Sequence, residues 1–598
     1  MYKQIFVLLA LSVSTLASCQ VVDTSEMSYE TKQLNIYRKK DEVDKQIPLR
    51  FYESTPNIPY ISVKQFYKEF FNINLSLNKS GHLYKYILDA ESSLKFDSDQ
   101  DVLFISNFDA FSVNPDFKTS VSSTFLKGGI DKVTTPREKV ISLKNYFIDV
   151  HGDNEAYVPL GLLSSLSGGI EGYNIAYNGK DIYVLDSRGQ LSEEQRSYKY
   201  YGDSYLSVMK DFEIKRPEDL AKYSYYQLCF NFDNLRGYTT QLIFGDNNLQ
   251  SLGLNGLLER YYPDVKSLMM STDKNEYYAG FSLALYGLFD GGHTAAEITN
   301  EPFFADSQSA ILTKPELKDL ASKFVFAYLQ KLATKTGYMQ SKIASFPGLY
   351  SAENANYYSF DSETKTAYIG FDSFQVDYAQ WTKYYNKGKK QSDIPTSGDS
   401  YAFIRSSLYK ALEDNAKNVV LDLSTNGGGD SGALLGIVGL FNKAKANYES
   451  NNIVDGTRRT EENLIDINLD GKWDDKDVKE AEKFEAMNVA VLTSRNSFSC
   501  GNLLPSMLKE LGYKIVGQRS GGGSCAIVYE TTVDGLTYYR SSHHCLSNLS
   551  GDNIDDGVPL DFEIEITKTP NASNPKLYDV NAPKFYDFVT VANYLNSL

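Results

Sequence analysis

The chain has 598 residues, 42% of them hydrophobic, and a formal net charge of −16. This length exceeds what one hydrophobic core sustains, so several domains are expected. The acidic balance, with no local basic block to offset it, argues against nucleic acid as a partner.

At the N-terminus, Tyr2, Lys3 and Gln4 precede an apolar stretch from Ile5 to Leu16, which runs into Ala17, Ser18 and Cys19. The stretch is shorter than the about 20 residues of a membrane span, and it suits a secretory signal. The segment resembles a bacterial lipoprotein signal. That resemblance implies cleavage before Cys19, lipid on its thiol, and a mature protein tethered to the cell envelope, at the periplasmic face or the cell surface. Four cysteines then remain, Cys229, Cys500, Cys525 and Cys545, and an oxidising compartment permits disulfides among them. Residues 20–48 are polar and charge-rich and read as a tether.

Residues 49–203 read as small α+β modules. Within them, Ala156 to Asp186 shows a strand, a short helix and two strands around an Asn178-Gly179 turn. Asn57 to Phe71, with Asp101 to Ser106, reads as a degenerate earlier copy. The pattern resembles the N-terminal domain of copper amine oxidases, without a copper-ligand cluster, and implies binding or spacing. Residues 204–364 read as a helical domain: Thr313 and Glu316 form a capping box, Pro315 suits the first turn, and Leu317, Leu320, Phe324 and Tyr328 recur at helical spacing. One tetrad there stands out, Gly291-Gly292-His293-Thr294.

Residues 365–598 read as an α/β core. Buried apolar strands at Val419 and Val489 break at Asn426-Gly427-Gly428-Gly429 and at Ser497-Phe498-Ser499-Cys500, and each continues as a helix. Chemistry in such folds sits at the strands' carboxyl ends. Farther on, a hairpin with an Asp534-Gly535 turn brings Cys525 nearly opposite Cys545, as a bridge or as two thiols.

These motifs, with Gly557-Val558-Pro559 and Asp561, resemble the C-terminal processing, or tail-specific, serine peptidases, and closer still their tricorn-like branch. The resemblance implies a multidomain α/β protein with a crotonase-like peptidase core and Ser499 as nucleophile. One branch of that family activates serine with a lysine, but its position here is Gly523. The other branch uses a histidine ahead of the core, which His293 matches, and imidazole titrates in the range a general base requires. His543 and His544 are the runner-up bases. Adjacent side chains on a strand face opposite ways, which argues against a metal shared by that pair. A supporting carboxylate is implied at Asp555, with Asp556 next to it. The oxyanion hole is implied to use backbone N–H groups of Gly427 or Gly428 and of Cys500. Cys500 itself and Ser497 are the competing nucleophiles.

Between the two turns, Asp466 to Asp477 places oxygen ligands at loop positions 1, 3, 5, 9 and 12 with glycine at 6, an EF-hand calcium pattern. The ligands would be Asp466, Asn468, Asp470, the Lys472 carbonyl, Asp474 and Asp477, with Asp477 at position 12 resembling dockerin loops. A structural calcium ion is expected. The chain thus reads as an envelope-tethered serine endopeptidase acting on peptides or proteins. The alternative is an inactive peptide-binding lipoprotein on the same fold. The interval from Thr294 to Thr366 leaves too little room for a PDZ domain, so tail specificity is not implied.

Overall fold

A computed structural model describes residues 28–39, 42–111, 124–168, 173–186, 216–237, 242–296, 315–396, 398–548 and 550–597. Cys19 and Thr313, and with them the lipoprotein signal and the capping box, lie outside these. Among the described residues no helix is long and apolar enough to cross a membrane.

The C-terminal region is organised by a six-stranded sheet ordered Tyr357–Asp361, Thr366–Gly370, Asn418–Asp422, Asn488–Thr493, Lys514–Gly517 and Phe562–Glu563. The first pair is antiparallel and every later pair is parallel. The runs VVLD and VAVLT are apolar along their length because both faces of the sheet are covered. Val419, Leu421, Val489 and Val491 pack on one side with the helices Ser400–Glu413, Ser431–Gly439 and Cys500–Glu510. Val420, Ala490 and Leu492 pack on the other with Tyr338, Phe346 and the helix Phe588–Asn596. The expected boundary at residue 365 needs correction, since the edge strand Tyr357–Asp361 precedes it.

A second sheet draws strands from distant parts of the chain. The hairpin strands Cys525–Thr531 and Thr537–Ser547 continue through Lys445–Asn452 and Arg458–Ile465 to Leu126–Val133, and Ala295–Ala296 adds at the other edge. Cys525 stands opposite Cys545 as expected, with the two Sγ atoms 3.3 Å apart as thiols.

The N-terminal region corrects the tether. Tyr29–Lys39 and Glu42–Tyr52 pair as strands of a seven-stranded sheet, with Leu34, Ile36, Ile47, Leu49 and Phe51 buried on its inner face. Alternation between these apolar residues and charged neighbours dilutes the composition but satisfies a pleated strand. The two strand–helix units, Thr55–Ser62 with Val63–Phe71 and Ala156–Pro159 with Leu160–Ser167, share that one sheet. A separate five-stranded meander carries Val102–Ser106.

The long helix Pro315–Ser345 pins the core with a buried cation. Lys342 Nζ lies 2.9 Å from Asp422 Oδ2 and 3.2 Å from Asp372 Oδ1, and its side chain is fully buried. Burial opposes its charge, but the two carboxylates outweigh burial and raise its pKa. Lys342→Met leaves both carboxylates uncompensated and is expected to cost about 3–5 kcal/mol, the range for breaking a buried pair. Urea unfolding measures this, and adding Asp422→Asn should recover part of the loss.

Candidate active site

Ser499 sits where the strand Asn488–Thr493 turns into the helix Cys500–Glu510. Its backbone is at φ 56°, ψ −124°, a conformation that costs a non-glycine residue about 1–3 kcal/mol. The turn is held from several directions: Ser499 N–H donates to Gly522 O (2.9 Å), and Phe498 N–H donates to Asn426 O (3.0 Å). Gly501 is required there because a Cβ would fall 2.6 Å from Asn426 O. Asn502 joins two further segments, donating to Ile554 O (2.9 Å) and accepting from Ser520 Oγ (2.6 Å). Ser499 itself is half-buried, and its Oγ makes no hydrogen bond among the described residues.

The competing nucleophiles are occupied. Ser497 Oγ is fully buried, donates to Leu423 O (2.7 Å) and accepts from Ser494 N–H (2.9 Å). Cys500 Sγ is buried and donates to Gly429 O (3.1 Å). Burial, then the charge of Asp430, pushes its thiol up to about 12, so it stays protonated at neutral pH.

The glycine turn lies directly on this serine. A Cβ at Gly428, whose φ is +103°, would come within 2.6 Å of Ser499 Cβ and 2.9 Å of Phe498 O. Gly428 N–H donates to Asn426 Oδ1 (2.8 Å), and Gly427 N–H donates to Asp372 O (3.3 Å). Both implied oxyanion donors therefore hold internal acceptors in this state. Cys500 N–H, in the first turn of its helix, makes no hydrogen bond among the described residues, as expected of a helix N-terminus.

His293 reaches the same turn from the preceding region. Its ring lies 4.7 Å from that of Phe498, in an edge contact, one residue from Ser499. It is 3% exposed, and its Nδ1 is buried without a hydrogen-bond partner. Burial lowers His293 to about 4, aided by Lys331 and opposed by Asp290. Lys331 Nζ lies 4.3 Å from the centre of the Phe498 ring and is itself lowered to about 8, chiefly by burial.

Asp290, which the sequence reading did not single out, holds the backbone at His293. Asp290 Oδ1 accepts the His293 N–H (2.9 Å), while Oδ2 accepts Thr294 Oγ1 (2.7 Å) and Ser541 Oγ (2.8 Å). Asp555 Oδ1 instead accepts N–H groups of Gly523 and Ser524, at 3.1 Å each. It shapes the loop that packs on Phe498. The signal for Asp290 was in the sequence: an aspartate followed by two glycines favours a side-chain-closed turn onto N–H groups two and three residues on. Gly523 leaves no space for the other branch's lysine, since a Cβ there would lie 2.6 Å from Phe498 Cζ. His543 and His544 turn to Asp109.

In the loop from Asp466 to Asp477, Asp466 and Asp477 are buried, Asp470 is partly exposed with its Oδ2 3.3 Å from Lys476 Nζ, and Asp474 is exposed. Asp466 accepts N–H groups of Asp470 (3.1 Å) and Gly471 (2.7 Å) and the Tyr385 hydroxyl (2.9 Å). Asn468 Oδ1 accepts Asp470 N–H, and Asp470 Oδ1 accepts Lys472 N–H. Asp477 and Asp474 cap the helix Asp475–Glu485 reciprocally. Burial, with Asp477 and Asp470 adding, pushes Asp466 up to about 6. Burial raises Asp477 as well, opposed by the N–H groups of Asn468, Asp474 and Ile467.

Comparison with known proteins finds a match over one segment. Residues 365–564 match the model of peptidase family S41. That similarity, over residues 365–564 of the chain, supports serine peptidase function in general and a peptide or protein substrate. No curated protein matches the chain. Among solved structures, it is similar to a Parabacteroides merdae protein described as a candidate peptidase. That match has 16% identity, covers 51% of this chain and 82% of that one, and has a TM-score of 0.32. It is also similar to the photosystem II D1 C-terminal processing protease, at 18% identity, covering 33% and 42%, with a TM-score of 0.24. A lipoprotein from Streptococcus agalactiae matches at 12%, covering 58% and 92%, with a TM-score of 0.30.

The close approach of Gly428 to Ser499 gives a direct test. Gly428→Ala is expected to lower turnover by about 10²–10³-fold, the effect of damaging an oxyanion hole. Far-UV circular dichroism should stay unchanged.

Proposed function

We propose that the protein is an envelope-tethered serine endopeptidase with a crotonase-like core, anchored through lipid on Cys19. Ser499 attacks the peptide carbonyl, and His293 accepts the hydroxyl proton and returns it to the leaving amine through an acyl-enzyme. The oxyanion is held by Cys500 N–H together with an N–H of the glycine turn. Since Gly427 and Gly428 hold internal acceptors, substrate must displace one of them by turning its peptide. The observation that carries this reading is the strained Ser499, its Oγ without a hydrogen bond among the described residues, under Gly428, where no side chain fits, with His293 packed on the preceding residue. In the resting state the imidazole and the hydroxyl are not hydrogen-bonded, and apo sites commonly tighten only with substrate. Asp290 holds the His293 loop, and Asp555 holds the Gly523 turn.

A fluorophosphonate probe tests the assignment: it should label the native chain and fail on Ser499→Ala. An unlabelled native protein that still binds peptides would instead make it a receptor. His293 must be neutral to act as base, so activity should persist as pH falls from 7 to 5 and be lost as pH approaches about 4. An acid limb at the ordinary imidazole value would remove His293, as found here, from the role.

We further propose that Asp466, Asn468, Asp470, the Lys472 carbonyl, Asp474 and Asp477 hold a structural calcium ion. The spacing of the six oxygen donors and the burial of Asp466 and Asp477 side by side support it, because a divalent cation would offset the charge they bring together. Added calcium should raise the melting temperature of the chelator-treated protein. In Asp466→Asn that rise should be absent.

A further inference from the structure

The strand Thr537–Ser547 carries a cluster that the peptidase reading leaves unused. Its register against Cys525–Thr531 passes from Ile527↔Ser541 to Cys525↔Cys545. Residues 542–544 therefore stand opposite residue 526 alone. Regular alternation would send His543 and His544 to opposite faces, but this bulge breaks it. Both imidazoles turn to one carboxylate, which corrects the argument made from strand periodicity. His544 Nε2 lies 2.8 Å, and His543 Nε2 3.4 Å, from Asp109 Oδ1.

The three donor atoms lie within 4.8 Å of one another. Both histidines are nearly fully buried, and His543 Nε2 has no hydrogen-bond partner though it points into the cluster. Asp109 is oriented from outside: Arg459 Nη2 lies 2.8 Å from its Oδ2, and Asn452 Nδ2 donates to its Oδ1 (2.8 Å). Such outer partners fix a ligating carboxylate while leaving one lone pair of Oδ1 for a further contact.

We propose that Asp109, His543 and His544 bind a divalent cation of the zinc class through the two Nε2 atoms and Asp109 Oδ1, with water completing the shell. Two imidazoles and one carboxylate suit zinc. In a tetrahedral site with bonds of about 2.0–2.1 Å the ligand atoms stand about 3.3 Å apart; His543 Nε2 is already at that spacing from Asp109 Oδ1 (3.4 Å), and His544 Nε2 (2.8 Å) would move outward to reach it. Its place in the fold gives the ion a role. Asp109 belongs to the N-terminal region, and the histidines belong to the strand whose Ser541 holds Asp290. The ion would clip the N-terminal region to the strand that positions the His293 loop.

The test uses the whole chain, stripped with chelator, returned to excess calcium so that the acidic loop is filled, and titrated with ZnCl2 against a chromogenic chelator. One zinc per chain is expected, with a rise in melting temperature. Loss of an outer partner typically costs about 10–100-fold in affinity, so His543→Ala and His544→Ala should each weaken zinc by at least that much. Asp466→Asn should retain it. Should an alanine variant fail to fold, CoCl2 added to the native chain gives a second readout, a visible spectrum of a nitrogen-ligated ion. Absence of zinc binding, unchanged affinity in folded histidine variants, or a cobalt spectrum of an all-oxygen site would overturn the proposal. None of these readouts depends on Ser499.

Discussion

The site depends on one buried cation. Lys342 comes from a helix that precedes the peptidase segment, and it stands between the ends of two adjacent strands through Asp372 and Asp422. Asp372 is also bonded at Thr425 Oγ1, and its carbonyl takes the N–H of Gly427. Asp422 takes Ser424 N–H and the Tyr357 hydroxyl. A buried ion pair adds little net stability over a well-packed apolar alternative. Its effect here is geometric: it fixes the stretch from Asp422 to Gly427, and the glycine turn can then rest on Ser499 without a side chain of its own. Chemistry that needs N–H groups held within tenths of an ångström requires this kind of support.

Phe498 organises the other side. His293, Lys331, Gly292 and Gly523 all pack against its ring. His293 thus lies in a buried setting that disfavours its charged form, and the loop carrying it is tied back by Asp290 and Ser541. Two independent supports meet at Ser499, one ionic beneath the glycine turn and one aromatic beneath the histidine.

Much of this was legible in the sequence. The parallel strands read clearly because strands covered on both faces are apolar throughout, and the turns were marked by glycines whose side chains would collide. Ser499 and His293 came from motif and chemistry together. What escaped was whatever depends on distant segments. Lys342 looks like one lysine among many on an amphipathic helix until the two carboxylates are brought to it. The paired strands from Tyr29 to Tyr52 hid behind their charged outer face. Asp555 and Asp290 are both acids near the right motifs, and only the fold decides which one meets the histidine loop. The convergence of His543 and His544 requires a bulge, which periodicity cannot foresee.

The S41 match begins at residue 365, yet His293, Asp290, Lys331 and Lys342 all precede it. On the reading proposed here, the half of the apparatus that attacks and the half that handles protons belong to different stretches of chain. A gene fragment trimmed to the recognisable peptidase unit would inherit an alcohol with nothing to activate it. Such an architecture resists being shuffled piecemeal, and its upstream region must travel with it through any recombination that preserves hydrolysis.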